Sequence, residues 1–220
     1  MTNFKNVVVF GTGHIAELVS DLIMEDKKLK LVGYCVDREF KLSDKFKGYP
    51  LIAFDEVTSK FPKEDFFLIT ALSYSNLNKT RENVYMKLKK LGYRFINIIS
   101  SDSIFKADNI GENNIIFELN NIQKGTSIGN NCIFWSGNHI GHHSKIEDNC
   151  FISSHVVISG SVIVGKNTFI GVNSTIRDNI KIENNCVIGA GAIVLKDLKA
   201  NSVVRTRHGE ISKLSSDKLV

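Results

Sequence analysis

The chain has 220 residues, 43% of them apolar, and 28 Lys and Arg against 23 Asp and Glu give a net charge of +5. That length holds one or two domains with cores of their own, and that apolar share excludes a disordered chain. Apolar runs such as FFLITAL stop far short of the ~18 residues a membrane span needs, and the basic residues are scattered rather than massed as a nucleic-acid surface requires.

Residues 1–101 alternate strand-like and helix-like segments. KNVVVF (5–10) is a short apolar run that ends in glycines, and it begins so early that no cleavable leader is expected. A helical pattern follows from His14 to about Glu25. LVGYCVD (31–37) and DFFLIT (65–70) predict two more buried strands, Asn76 to about Leu91 an amphipathic helix, and FINIIS (95–100) a closing strand. Strands separated by helix-length segments predict a small parallel sheet with helices on its faces.

The pattern changes near residue 102. Every sixth residue from Ile104 through Ile110 and Ile116 to Val194 is apolar, sixteen positions without a slip. A strict period of six does not fit 3.6 residues per turn. Three short strands and three turns per coil do fit, so residues 102–200 predict a parallel β-helix of about five coils. Positions one coil apart then stack about 4.8 Å from one another. Cys132, Cys150 and Cys186 share one inward column with Thr168, and none of the four cysteines, Cys35 included, shows CxxC spacing. They read as reduced, packed thiols of a cytoplasmic protein. The tail, 201–220, contains HGEISKLSSDKLV, a polar stretch suited to capping the last coil.

The turn GTGHIA (11–16) follows a strand and opens a helix, and Asp37 ends the second predicted strand. This matches the G-x-G-x-x-A dinucleotide fingerprint in its proper context, so an NAD-binding oxidoreductase is one reading. Against it, a domain of about 100 residues holds only half of a full dinucleotide fold. The underlying physics is phosphate binding by backbone N–H groups at a helix N-terminus, which serves a nucleotide-sugar diphosphate equally well.

The stretches GTGH (11–14), NHIGHHSKI (138–146), SSHVVISG (153–160), FIGVNSTIRD (169–178) and VIGAGAIVLKD (187–197) closely resemble one family of bacterial sugar acetyltransferases. It includes sialic acid O-acetyltransferases and N-acetyltransferases of nucleotide-linked 4-amino-4,6-dideoxy sugars, enzymes of surface glycan biosynthesis. The resemblance covers essentially the whole chain. It implies an α/β Rossmann-like N-terminal domain, a left-handed hexapeptide-repeat β-helix, a homotrimer with sites between neighbouring β-helices, and acetyl-CoA as cosubstrate. By the same resemblance Gly11, Thr12, Gly13 and His14 hold the diphosphate and Asp37 sits near the nucleoside. Tyr74 and Asn78, after the next strand, are candidates to contact sugar or base.

The family carries its base as the first residue of a His-acid-Cys-like triplet at a β-helix corner. Here the triplet is His142-His143-Ser144, so His142 inherits the role while His143 replaces the acid; His143 cannot serve as a permanent anion, and it, His155 and His139 are the candidate assisting groups. The coil period supports this independently: Gly160, one full coil further on, stacks over His142 and presents a bare N–H. A base beside such an amide suits acyl transfer from a thioester. His155 lies on another corner and reaches only a neighbour's site; His139 falls on a strand, where packing or orienting is its role. The spacings among His139, His142, His143 and His155 do not match a zinc site. Gly160, Asn173 and Gly189 are candidates for the coenzyme A pantetheine arm, and Lys196, Arg205 and Arg207 for its phosphates. The leading expectation is N-acetylation of a nucleotide-linked amino sugar. Sugar O-acetylation and a non-catalytic nucleotide-sugar-binding protein are the alternatives.

Overall fold

The computed structural model describes residues 4–206. Its N-terminal part contains β1 (Lys5–Phe10), α1 (His14–Glu25), β2 (Leu29–Val36), β3 (Lys45–Phe46), β4 (Tyr49–Ala53), α2 (Val57–Lys60), β5 (Phe66–Thr70), α3 (Lys79–Lys90) and β6 (Arg94–Phe95). The strands form one sheet in the order β3-β4-β2-β1-β5-β6, parallel except for the β3–β4 pair. Val7 to Phe10 are buried, as a near-continuous apolar strand covered on both faces must be. Helix α1 buries Ile15, Ala16, Val19, Leu22 and Ile23, one 3.6-period face. The strand order reverses between β1 and β5, and the crevice outside their carboxyl ends is where a parallel sheet receives ligands.

The second part is a stack of two-residue strands in three parallel sheets of seven, six and five strands. Over most of its length each strand pairs with the one a full coil away, as in Ile116↔Phe134, Ile140↔Ile158 and Ile146↔Val164. The sixth-residue anchors point inward, and the column of Cys132, Cys150, Thr168 and Cys186 is buried among them. The Cys132 thiol donates to the Glu147 carbonyl at 3.1 Å and the Cys150 thiol to that of Gly165 at 3.3 Å. All four cysteines are free.

Both ends of the β-helix differ from the sequence expectation. The β-helix begins at Ile98–Ile99, which pairs with Ile115–Ile116, so FINIIS is divided: Phe95 pairs into the N-terminal sheet and Ile98 into the coil. Ile104 is not the first inward anchor; it is 55% exposed, and Phe105 occupies the place opposite Ile122. The turn between Phe105 and Ile110 is shortened by a single position, which the apolar Ile104–Phe105 pair conceals. At the other end Val203–Val204 still pairs with Val187–Ile188, so the stack runs past residue 200 and holds about six coils. His208 to Val220 lie outside the described residues, and with them the capping expectation.

The three corners have distinct uses. The first carries Asn113, Asn131, Asn149 and Asn167, each with positive φ, a conformation asparagine tolerates well. Their amides link rung to rung, from Asn113 to Asn131 at 2.8 Å and Asn131 to Asn149 at 2.7 Å. This corner docks on β5 and α3: Thr70 N donates to Asn113 Oδ1 at 2.8 Å and Asn167 Nδ2 to Glu82 Oε2 at 2.9 Å. Arg81 of α3 is wholly buried there and donates to the carbonyls of Asn131, Cys150 and Ser73 at 3.1 to 3.2 Å. Burial lowers its pKa to about 10, which leaves it charged at neutral pH. Ile115, Ile133 and Phe151 on the adjoining face pack with Val7, Val9 and Ile15, so the two parts share a core.

Candidate functional site

His142 lies in the third corner, between strands His139–Ile140 and Lys145–Ile146. Close stacking of rungs sets its position: a Cβ on Gly141 would stand 2.5 Å from the Ser159 carbonyl carbon. The His142 backbone N–H donates to Gln123 Oε1 at 2.9 Å, and its side chain is exposed. The ring lies over Gly160. A Cβ there would fall 2.5 Å from Cε1, 2.7 Å from Nε2 and 3.1 Å from Nδ1, so the imidazole occupies space only a glycine leaves. The Gly160 carbonyl accepts from Asn179 N at 3.0 Å, while its N–H has no partner among the described residues.

His143, with φ +58°, turns the other way and lies over Gly125, whose absent Cβ would be 2.9 Å from its Cδ2. The two histidines meet through Nδ1···Nδ1 at 3.0 Å with their rings 78° apart. They line a cavity of about 820 Å³ with Lys106, Asp108, Gln123 and Lys124. His155 stands on the second corner with its ring over Gly137, and His139 is half-buried on an outward strand position. The four histidines therefore do not converge. Among the described residues no cluster of three His, Cys, Asp or Glu is placed to hold a metal ion.

The second cavity, about 630 Å³, opens where the β1–β5 crevice meets the β-helix. Gly13 and His14 form one wall, Ala71 to Tyr74 another, and Trp135, Phe151, Phe169 and Val172 a third. Gly11 has φ +122°, and a Cβ on it would be 2.8 Å from the Ala71 carbonyl oxygen, so the sharp turn into α1 requires glycine. Gly13 is the N-cap and faces open space; His14, almost fully exposed, lies 3.5 Å from Glu17. Tyr74 packs on Phe151 and Phe169 at ring distances of 5.0 and 4.8 Å. Gly11, Thr12 and Asp37 stand outside this lining; Asp37 follows β2 and starts the short helical turn Arg38–Phe40.

Asn78 is a correction. It is wholly buried with φ +66°, bonded to the Thr168 carbonyl at 3.4 Å and to Arg81 at 3.3 Å, so it ties α3 to the β-helix rather than facing a ligand. The expected coenzyme A residues divide between corners. Gly160 and Lys196 share the His142 corner, two coils apart, whereas Asn173 and Gly189 lie on the His155 corner. Lys196, Asn173 and Arg205 are exposed, and Arg207 lies outside the described residues. Sequence reading missed the Phe151–Phe169 wall. Its signal was two aromatics one coil apart, each just before an inward anchor and hence outward on one face.

The sequence matches the bacterial transferase hexapeptide family (six repeats) over residues 125–160 and the hexapeptide repeat of succinyl-transferase over 161–196. No curated protein sequence matches the chain. Solved structures that share its fold include the following three. A mutant perosamine N-acetyltransferase from Caulobacter crescentus, in complex with CoA and GDP-perosamine, is 19% identical with a TM-score of 0.79, over 90% of this chain and 92% of that one. The acetyltransferase domain of PglB from Neisseria gonorrhoeae, in complex with acetyl coenzyme A, is 18% identical with a TM-score of 0.80, over 91% and 95%. WeeI from Acinetobacter baumannii is 18% identical with a TM-score of 0.78, over 90% and 95%. Residues 125–196 thus match bacterial hexapeptide-transferase repeat models, and the two-part fold is shared with these three structures.

Proposed function

We propose that the chain is an acetyl-CoA-dependent N-acetyltransferase acting on the amino group of a nucleotide-linked amino-deoxysugar, a step in bacterial surface glycan synthesis. The observation that carries this reading is the His142 imidazole seated over Gly160 with the Gly160 N–H unpaired among the described residues. The sugar amine attacks the thioester carbonyl carbon, and its proton passes to His142 Nε2. The Gly160 N–H donates to the carbonyl oxygen as charge gathers on it; the C–S bond then breaks, and His142 returns the proton to the sulfur so that coenzyme A leaves as the thiol.

The acceptor belongs in the second cavity. The N-terminus of α1 at Gly13 and His14 suits its diphosphate, Asp37, outside the lining, is kept as the candidate for the nucleoside, and the aromatic wall suits the apolar face of a deoxysugar. That the perosamine enzyme binds CoA together with GDP-perosamine supports the pairing of substrates. Because His142 and this cavity sit on different corners, we infer a homotrimer in which one chain's base serves its neighbour's cavity. Coenzyme A then lies between Gly160 and Lys196 of one chain and Asn173 and Gly189 of the next, with Arg205 near its phosphates. The free, buried thiols suit a reducing compartment, and we place the reaction in the cytoplasm.

The test is thiol release from acetyl-CoA with a panel of UDP-, dTDP-, GDP- and CMP-linked amino sugars and free sialic acids. An amino-sugar acceptor and a roughly 10²- to 10⁴-fold lower kcat in His142→Ala are expected. Turnover by the variant near that of the parent removes His142 from the mechanism. Acetylation of a hydroxyl alone assigns the chain to sugar O-acetylation instead.

A further inference from the structure

His142 needs an orienting partner, and no carboxylate among the described residues bonds to it. A base that accepts a proton at Nε2 must carry its resting proton on Nδ1, and that tautomer persists where Nδ1–H has an acceptor. The group 3.0 Å from His142 Nδ1 is the Nδ1 of His143. We propose that His143 is a positioning residue: a neutral imidazole whose Nδ1 lone pair accepts the His142 Nδ1–H and so leaves His142 Nε2 open beside Gly160. This rests on the role proposed for His142 above.

The hydrogen bond has a single consistent pattern for a base at Nε2. His142 donates from Nδ1, His143 accepts at Nδ1, and His143 carries its own proton on Nε2. The fold holds the acceptor in place from two sides. Residue 143 sits in the left-handed region, which throws its ring back over the preceding coil, and Gly125 leaves the space for that ring. The Gly125 N–H is anchored in turn by Asp108 Oδ1 at 3.1 Å. The charged groups facing the pair are Lys106, Asp108 and Lys124, which line the same cavity. Unlike an acid at this position, a neutral acceptor fixes the ring without adding negative charge beside it.

Two measurements on the full-length protein test this. In ¹⁵N-histidine spectra, which need no turnover, His142 should show a protonated Nδ1 and a bare Nε2, and His143 the reverse. His143→Ala should move His142 toward the Nε2–H form that free imidazole prefers. Observation of His142 as the Nε2–H tautomer in the parent protein overturns the proposal even if acetyl transfer is confirmed. Absence of acetyl transfer with the expected tautomers overturns only the functional reading beneath it.

In kinetics, His143→Ala should lower kcat about 10-fold with little change in the KM for acetyl-CoA. His143→Asn keeps an acceptor oxygen and tolerates positive φ, so it should stay within about threefold of the parent. His143→Asp should likewise keep activity and move the acid limb of kcat/KM to higher pH, since it sets an anion beside the base. Equal loss in the Ala and Asn variants, or parental activity in His143→Ala, refutes the assignment.

Discussion

Replacing Gly160 by alanine isolates the contact on which the proposed chemistry depends. The new Cβ would stand 2.5 Å from His142 Cε1 and 2.7 Å from Nε2. Carbon atoms in contact prefer about 3.5–4.0 Å, so the ring must withdraw by about 1 Å. Gly160 does not have a positive φ, and alanine suits its backbone. The atoms in the way belong to the end of an exposed side chain that swings aside at little cost, so the melting temperature should change by no more than about 2 °C. A misplacement of about 1 Å in a reacting group costs about 10²-fold in rate, which corresponds to about 2.7 kcal/mol of transition-state stabilisation. The assay is initial-rate thiol release at saturating acetyl-CoA, paired with calorimetric binding of coenzyme A. A kcat/KM within threefold of the parent would refute the reasoning, because the base would then work from a different position. Loss of the folded state with the activity would refute it as well.

Two further outcomes concern stability. Arg81→Met removes a buried guanidinium and leaves the carbonyls of Ser73 and Asn131 without donors, so urea unfolding should show a loss of about 3 kcal/mol or more. Arg81→Lys should recover little, since one ammonium cannot span acceptors on three separate segments; a loss below about 1 kcal/mol in Arg81→Met counts against the docking role. Burial, with Asp37, Asp55 and Glu56 adding to it, pushes the Cys35 thiol up to about 12, and burial pushes Tyr93 up to about 12. The folded state keeps these protons where the unfolded chain releases them, so stability is full below about pH 9 and falls as pH rises toward 12, by about 2 kcal/mol near pH 10.5 from Cys35 alone. Urea titrations at increasing pH check the slope, and Cys35→Ala should flatten it; an unchanged midpoint between about pH 8 and 11 contradicts the assignment.

Much of this architecture was legible because its physics is periodic. Burial every sixth residue leaves no choice but a short strand and a turn, and the same arithmetic places Gly160 over His142, where the structure has it. Helix α1 begins at His14 and ends at Glu25, where the glycine turn and the apolar face said it would. Legibility failed where one position was dropped and the pattern did not register it: Ile104 and Phe105 are both apolar, so the skip cannot be seen from composition. It failed again at Asn78 and Arg81, polar residues on an otherwise solvated-looking helix. Asn78 is held by the carbonyl of Thr168 and Arg81 by those of Asn131 and Cys150, far along the chain, which no local pattern reports. The His142–His143 contact has no signal in the sequence beyond adjacency, and its geometry depends on the left-handed backbone at residue 143.

Parting the proposed acid–base group from the proposed acceptor cavity by one vertex of the prism has a genetic consequence. In the assembly proposed above, a chain lacking the imidazole still offers an intact receptacle, and a chain with a ruined receptacle still offers an intact imidazole. Two silent alleles expressed together would therefore restore a fraction of working junctions, whereas two lesions on the same vertex would not.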